Sequence, residues 1–388
     1  MAVDSAARRR PGFVRPAAIG LVLVAVLGLL FGVPWWTLVL APGWGSGVTA
    51  AGTVLFLGAA LTLPAALVAG HRNGRDGASL VSDVLLGVVW VLFSWSVIGA
   101  GARVVLEALD VADAARITAL GVGGVSAVLL AWGYHEAMRV PRVRRVDVTL
   151  PRLGSGLDGT RVVLLTDTHY GPTDRAAWSA KVTEAVNALD PHLVCHTGDI
   201  ADGTPARRRA QAAPLADIEA EFGRVYVTGN HEYYGDALGW VAHLQELGWQ
   251  PLHNLHTVVE RGDDKLVVAG IDDHTAHHSG HPGHRADLDA ALAGADPDLP
   301  VLLLAHQPKQ VALAEAAGVD LQISGHTHGG QIWPFHHLVR FDQPAVQGLS
   351  RRAGRTQLYT SRGTGFWGPP FRIFAPSEIT LLTLRSPA

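Results

Sequence analysis

Two histidines one residue apart, His326 and His328, follow an apolar run that is predicted to form a short strand, residues 319–324. Glycines on both sides predict an irregular loop, on which both imidazole rings can converge on one centre. Imidazole nitrogens are common ligands of divalent transition metals. A His-x-His pair alone is weak evidence, because most such histidines lie on surfaces or pack in cores. Its weight comes from similar side chains elsewhere in the chain.

Four more apolar runs are each followed by side chains that can bind a metal. They are Asp167 with His169, Asp199, Asn230 with His231, and His306. Ligands of α/β proteins collect beyond the carboxyl ends of the strands, so five such loops can meet at one site. Carboxylates mixed with imidazoles favour Mn²⁺, Fe or Zn²⁺ over Ca²⁺. These ligands outnumber the positions around one ion, and the pattern therefore predicts two ions with a bridging carboxylate.

The apolar patterning after residue 160 predicts the elements that position these side chains. Strand and helix patterns alternate at first, which favours βαβ units, and later strand pairs favour a second, mixed sheet. The predicted strands are residues 161–165, 193–197, 225–228, 266–271, 301–305, 321–324, 357–361 and 379–384. The predicted helices are residues 175–189, 207–222, 237–247, 285–292 and 309–317.

Four segments without charged residues precede this region, namely residues 17–41, 47–70, 84–102 and 117–134. Each is close to or above the roughly 18–20 residues that a helix needs to cross ~30 Å of hydrocarbon. Buried helices of a soluble protein are the alternative, but four in succession would make an implausibly apolar core. We therefore predict four transmembrane helices within residues 17–138.

Arginine is concentrated in a predicted basic tail, residues 1–16, in the second loop and in a predicted basic linker, residues 139–157. The first loop, residues 42–46, has neither Lys nor Arg. Because positively charged flanks stay in the cytoplasm, all three basic segments are predicted to be cytoplasmic. The α/β domain, residues 158–388, should then lie on the cytoplasmic side, close to the bilayer.

Composition narrows the function further. The net charge of −3 gives no general basic field for nucleic acid. The single cysteine, Cys195, excludes an intrachain disulfide and a Cys-rich metal site. Of the 19 histidines, all but His71 and His135 follow residue 150, which fits metal chemistry there. The His-rich segment 274–284 is interpreted as an exposed loop, with an accessory metal site as the alternative.

The motifs occur in a defined order: Asp167-x-His169, Gly198-Asp199-x-x-Asp202, Gly229-Asn230-His231-Glu232, His306 and Gly325-His326-x-His328. In this order they resemble the signature of the calcineurin-like metallophosphoesterases over about residues 158–384. Residues 167–171, 362–372 and 378–380 resemble a bacterial, membrane-associated branch of that family. The resemblance implies an α/β fold, a four-layer sandwich of two mixed sheets flanked by helices. Here an all-α bundle of four transmembrane helices would precede it.

The resemblance also implies a role for each motif residue. Asp167, His169 and His328 would bind the first metal. Asn230, His306 and His326 would bind the second, and Asp199 would bridge both. His231 would protonate the leaving oxygen or stabilise the phosphoryl charge, with its ring oriented by Asp202. The implied cofactors are two divalent ions, Mn²⁺ first, with Fe, Zn²⁺ or Mg²⁺ as alternatives.

The implied activity is that of a dimetal phosphoesterase. The four predicted helices would anchor it in the bacterial cell membrane as a multi-pass protein. It would hydrolyse a phosphodiester or pyrophosphate bond by attack of a metal-activated water. The neighbouring helices favour a phospholipid or lipid-linked substrate. The bilayer is the expected partner, and binding of nucleic acid is not expected. The alternatives are a non-catalytic membrane sensor or accessory protein that binds metal or phosphate, and a nuclease or nucleotide phosphodiesterase. The substrate, the metal and the oligomeric state stay open.

Overall fold

The computed structural model describes residues 14–387, so most of the predicted basic tail lies outside the described residues. Four long helices come first: α1 (Val14–Trp35), α2 (Ser46–Leu67), α3 (Asp76–Ala108) and α4 (Ala114–Met138). A π-helical turn extends α1 over Trp36–Leu40, and another extends α2 over Val68–Arg72. All four helices are long and apolar enough to cross a membrane.

The outer surfaces of these helices are apolar. Their most apolar windows are only 6% to 33% buried within the structure. Large aliphatic side chains therefore point outward, among them Leu21, Val54, Leu61, Val104 and Leu120. A helix that is hydrophobic on all sides is either buried in a core or surrounded by lipid. The structure thus confirms the predicted bundle of four long apolar helices.

Helix α3 begins at Asp76, eight residues before the third uncharged segment. The additional turns carry two acidic residues that find partners far along the chain or on the neighbouring helix. Asp76 accepts hydrogen bonds from Arg207 at 2.7 Å and Arg208 at 3.0 Å, and Asp83 pairs with His71 at 2.9 Å. The hydropathy pattern could not predict this start of α3, because the partners of the two acidic residues are known only from the folded chain.

The contacts divide the chain into two compact units. The first contains the chain up to residue 65 together with residues 88–128. The second contains residues 66–87 and the chain from residue 129 onwards. The end of α2, the beginning of α3 and the end of α4 therefore belong to the same unit as the α/β fold.

The α/β fold contains two six-stranded sheets. The strands are β1 (Arg142–Thr149), β2 (Thr160–Leu165), β3 (Leu193–His196), β4 (Arg224–Tyr226), β5 (Gln250–Pro251), β6 (Leu255–Arg261), β7 (Asp264–Gly270), β8 (Val301–Leu304), β9 (Leu321–Ser324), β10 (Gly348–Arg351), β11 (Gln357–Thr360) and β12 (Glu378–Arg385). The first sheet has the order β1-β12-β2-β3-β4-β5, with β2 to β5 parallel. The second has the order β10-β11-β9-β8-β7-β6, with β7, β8, β9 and β11 parallel. Both sheets are mixed. In the first sheet β12 pairs antiparallel with β2, and in the second β10 pairs antiparallel with β11 and β6 with β7.

Among the described residues, seven α-helices accompany the sheets: α5 (Ala176–Asn187), α6 (Pro205–Ala212), α7 (Asn230–Tyr234), α8 (Ala237–Glu246), α9 (Leu288–Ala291), α10 (Val311–Ala317) and α11 (His336–Asp342). Alternate residues of a strand point to opposite faces. In β2, Leu164 packs between the two sheets, whereas Val163 packs against α5, α6 and α8. In β8, Leu303 likewise packs outward against α9 and α10. These layers form the predicted four-layer α/β sandwich.

Strand β1 lies within residues that the sequence analysis assigned to a basic linker. It pairs in parallel with β12 at the edge of the first sheet. Val148 is fully buried there, and Val146 packs against the core between the sheets. The arginines at positions 142, 144 and 145 hide this short apolar alternation in the sequence. Charged side chains are tolerated because an edge strand is open to solvent on one side.

Candidate metal centre

The metal-ligand candidates all follow strands, on loops or, for Asn230, at the first residue of α7. Asp167 and His169 follow β2, Asp199 follows β3, Asn230 follows β4, His306 follows β8, and His326 and His328 follow β9. The strands β2, β3 and β4 belong to the first sheet, and β8 and β9 to the second. The carboxyl ends of both parallel segments therefore supply one site, as expected for an α/β fold.

Five of these residues have a positive φ: Asp167 at 53°, His169 at 43°, Asp199 at 53°, His326 at 68° and His328 at 52°. Positive φ is uncommon for residues other than glycine. Each such conformation costs on the order of 1–3 kcal/mol and persists only where the surrounding structure enforces it. The backbone of these loops is therefore locally unfavourable, and it directs the candidate ligand side chains toward one site.

Position 325, at the start of the motif Gly325-His326-x-His328, requires glycine for a steric reason. A Cβ atom on Gly325 would lie 2.1 Å from Asp167 Oδ2, far inside any allowed contact. The backbone amide of the next residue, His326, donates to Asp167 Oδ1 at 3.0 Å. Glycine at position 325 therefore lets the loop after β9 approach the carboxylate closely.

The first group consists of Asp167, His169 and His328, whose ligand atoms lie within 4.8 Å of one another. His328 Nε2 lies 3.1 Å from His169 Nε2 and 3.3 Å from Asp167 Oδ1. His169 Nδ1 donates to Asp202 Oδ1 at 3.1 Å. In the neutral ring this bond leaves the lone pair of Nε2 facing the group, the tautomer that a metal ligand requires.

The second group consists of Asp199, His306 and His326, also within 4.8 Å. His306 Nδ1 donates to the carbonyl of Thr197 at 2.8 Å. Its Nε2 faces Asn230 Oδ1 at 3.0 Å and Asp199 Oδ2 at 3.2 Å. In the neutral ring the Nδ1 proton goes to this carbonyl, and the lone pair of Nε2 would then meet two oxygen acceptors. A cation satisfies such a meeting of acceptors, so the residues present fit a divalent metal.

Asp199 lies between the two groups. Its Oδ2 atom is 3.2 Å from His306 Nε2 and 3.6 Å from His169 Nε2. Burial opposes the charge of this carboxyl, but His306 and His231 outweigh that effect and hold its pKa well below the usual range. Burial likewise opposes ionisation of Asp167, and His328 lowers the pKa of that carboxyl. Both carboxylates are therefore ionised, as metal binding requires.

His231 lies at the edge of the cluster. Its Nδ1 is 2.7 Å from Asp202 Oδ1, so one carboxylate orients both His231 and His169. The side chain is 16% exposed, and Nε2 is 4.0 Å from Asp199 Oδ2. His231, His169 and Asp199 form a further group within 4.8 Å. Burial opposes the charge of the ring, but Asp199 and Asp202 raise the pKa of His231 to about 9.

Glu232 supports the site in a way that the sequence analysis did not predict. Its buried carboxylate accepts hydrogen bonds from the backbone amides of Gly229 at 2.6 Å, Ile200 at 2.7 Å and Asp199 at 2.9 Å. It thereby joins the loop after β3 to the start of α7. The available signal was an acidic residue in the first turn of a helix after a glycine, the pattern of a capping box.

Arg372 is fully buried and braces the last motif. It donates to the carbonyls of His328 and Arg362, each at 2.8 Å, and of Ala375 at 3.2 Å. Its guanidinium therefore fixes the backbone that carries His328. This structural role could not be predicted from the sequence, because the acceptors are carbonyls that only the fold brings together.

One residue of the His-rich segment, His284, falls into a separate group with His253 and Asp272. His253 Nδ1 lies 2.6 Å from Asp272 Oδ1, and the two imidazole rings stack with centroids 4.2 Å apart. Tyr233 Oη is 3.0 Å from His284 Nδ1. This group is separate from the groups that contain Asp167 and Asp199, and its candidate ligand atoms also lie within 4.8 Å of one another.

Residues 160–330 match the family model described as calcineurin-like phosphoesterase. A transmembrane protein with metallophosphoesterase domain from Danio rerio is 39% identical over 267 residues, covering 67% of this chain and 61% of that protein. A Bos taurus protein of the same description is 37% identical over 271 residues, covering 68% and 61% respectively. An uncharacterized metallophosphoesterase from Campylobacter jejuni is 35% identical over 263 residues, covering 67% and 68%.

The fold and the Asp/His clusters define a metallophosphoesterase. The chain belongs to the calcineurin-like phosphoesterase family, as the sequence motifs predicted. The matched region spans 61% of the length of the two vertebrate relatives.

Substitutions within the cluster should remove metal. In Asp199→Asn or His326→Ala, the loss of a ligand between or within the groups should lower the metal content to half or less of the wild-type value, with loss of most phosphoesterase activity. Elemental analysis of purified protein measures the metal, and a chromogenic phosphodiester measures activity. The exposed His337→Ala serves as the matched control and should keep both. Normal metal content and turnover in Asp199→Asn would refute the assignment.

The role of Glu232 has its own test. In Glu232→Gln, an amide N–H must face backbone N–H groups that now donate to a carboxylate. We expect metal affinity to fall roughly 10–100-fold, as for other groups that orient ligands. A metal titration of the detergent-purified protein measures the change. The exposed Glu219→Gln is the control. Equal affinities of the two variants would show that Glu232 does not position the ligands.

Proposed function

We propose that this chain is a membrane-anchored, dimetal phosphoesterase that hydrolyses a phosphodiester or pyrophosphate bond. The convergence of ligand side chains from five strand-end loops carries the proposal. Asp167, His169 and His328 would hold one ion. Asn230, His306 and His326 would hold the other, and Asp199, which lies between the groups, would contact both.

When bound, two divalent ions supply Lewis-acid activation of a water and neutralise charge on the phosphoryl group. The ligand set suits Mn²⁺, with Fe, Zn²⁺ or Mg²⁺ as alternatives. The protein contributes a fixed geometry. The candidate ligand atoms belong to buried carboxylates and imidazoles, and Asp202 orients the rings of His169 and His231. These contacts exist before substrate arrives, so little reorganisation accompanies binding.

His231 is suited to act on the leaving oxygen rather than to bind metal. Its ring is partly exposed at the edge of the cluster, and its raised pKa favours the protonated form at neutral pH. A positioned, protonated imidazole can donate a proton to the departing oxygen or stabilise the charge that develops there. The presence of this residue opposes the alternative of a non-catalytic sensor.

The membrane anchor is supported by the four apolar helices and by relatives described as transmembrane proteins. A cleft beside His169 and Asp202 is also lined by Leu80 and Asp83 of α3. The site therefore opens next to a helix that is apolar enough to enter a bilayer. This placement supports a phospholipid or lipid-linked substrate over a soluble one.

The orientation is proposed from arginine placement. Arg72 and Arg75 lie between α2 and α3, and Arg139 and Arg142 follow α4, all within the unit that contains the phosphoesterase fold. Positively charged residues beside membrane helices favour the cytoplasmic side. We therefore place the phosphoesterase domain on the cytoplasmic face.

The role of His231 predicts a specific kinetic pattern. His231→Ala should keep its metal and lose about 10²–10⁴-fold in rate, the typical contribution of a general acid. The loss should be greatest for leaving groups of high pKa, since these depend most on protonation. A series of aryl phosphodiesters with added Mn²⁺ measures this dependence. A uniform loss across the series would exclude proton donation to the leaving group, and loss of metal would make His231 a ligand.

The substrate class is tested with a panel of compounds. Detergent-purified protein should hydrolyse a phospholipid or lipid-linked pyrophosphate faster than soluble nucleotides, because the site opens beside α3. Product release is measured with Asp199→Asn as the blank. Faster cleavage of nucleotides or of single-stranded nucleic acid would contradict the lipid assignment and favour a nucleotide phosphodiesterase or nuclease.

A further inference from the structure

A cleft adjoins the candidate metal cluster. Its lining includes His169, Asp202, Leu80, Asp83, Phe366 and Arg175. Arg175 directly precedes α5 and is 4% exposed. A buried arginine beside a phosphoesterase centre has to be explained, because burying a guanidinium is costly unless anions or hydrogen-bond acceptors compensate for the lost water.

The guanidinium of Arg175 has an incomplete set of acceptors. Its Nη1 donates to the carbonyl of Thr168 at 3.2 Å. Its Nε and Nη2 atoms are buried and have no hydrogen-bond partner among the described residues. These two nitrogens form one edge of the planar group, and their N–H bonds are nearly parallel. That edge matches the spacing of two oxygens of a phosphate or carboxylate.

Two aromatic rings hold this guanidinium in place. Its Cζ atom lies 3.5 Å from the ring centroid of Trp178 and 4.7 Å from that of Phe366. The backbone amide of Arg175 donates to Gln211 Oε1 at 3.1 Å. The plane of the guanidinium is thus fixed before any ligand binds, which lowers the entropic cost of bidentate binding.

The acidic neighbours do not supply the missing acceptor. Asp202 Oδ1 already accepts from His169 and His231, and Asp83 pairs with His71. No ion pair joins either carboxylate to Arg175 within the described part of the chain. Arg175 therefore lines the cleft as a buried cation for which the described residues provide no counter-ion.

We propose that the Nε/Nη2 edge of Arg175 binds a phosphate oxyanion of the substrate in this cleft. The proposal deepens the function proposed above and rests on it for the identity of the ligand. Thr168, whose carbonyl holds Nη1, stands between Asp167 and His169 in the chain. The guanidinium is thereby tied to the loop that carries two metal-ligand candidates, so a phosphate bound to it lies beside the cluster.

The test compares Arg175→Gln and Arg175→Lys with the wild type in detergent, each with bound metal. Inorganic phosphate and pyrophosphate are the probes, measured by calorimetry and as inhibitors of chromogenic diester cleavage. A charge-assisted bidentate contact is worth about 10–100-fold in affinity. Arg175→Gln should lose about that much with unchanged metal content, and Arg175→Lys should recover only part, because an ammonium lacks the planar fork.

The matched control is Arg209→Gln, an exposed arginine on α6, which should bind both probes normally. Equal loss for phosphate and pyrophosphate would place Arg175 at the phosphate that is cleaved. Loss confined to pyrophosphate would place it at a neighbouring phosphate. Both results support the site. If Arg175→Gln fails to fold, Arg175→Lys decides the question.

Wild-type affinity for both probes in Arg175→Lys and in any folded Arg175→Gln would overturn the inference. It would make the arginine a purely structural support for Thr168 and the aromatic rings. The two proposals fail separately. A wild-type protein that hydrolyses no phosphoester but binds phosphate through Arg175 refutes the catalytic function alone. Normal hydrolysis with affinity independent of Arg175 refutes this inference alone.

Discussion

The structure depends on a group of acceptors that face one another out of water. Asp167 and Asp199 are buried and ionised, and imidazole nitrogens of the surrounding histidines lie close to both carboxylates. Burying charges together is strongly unfavourable unless opposite charge compensates for it. Divalent cations would provide that compensation, and the surrounding hydrogen bonds hold the candidate ligands in position to bind them.

Rigid elements outside the cluster make this arrangement possible. The core between the two sheets fixes the strand ends, and Glu232 and Arg372 bind the backbone of the loops that follow. Five ligand candidates can therefore keep a positive φ that isolated loops would avoid. Asp202 serves two rings at once, which couples the orientation of a proposed metal ligand to that of the proposed acid.

The sequence predicted eight of the twelve described strands, and the candidate ligands follow five of these eight, because both patterns are local in the chain. Central strands are buried on both faces and appear as continuous apolar runs, and the ligands follow them directly. The start of α3, strand β1 and the role of Glu232 could not be predicted in this way. Asp76 is held by arginines about 130 positions away, β1 is hidden by its own arginines, and Glu232 acts on amides of another loop. Each depends on a partner that only the fold brings near.

The most direct test of the central claim is anomalous diffraction from crystals of the Mn²⁺-loaded protein. Two peaks are predicted, one beside Asp167, His169 and His328 and the other beside Asn230, His306 and His326, with Asp199 in contact with both. A single peak at His253, Asp272 and His284, or no peak among the strand-end residues, would contradict the account.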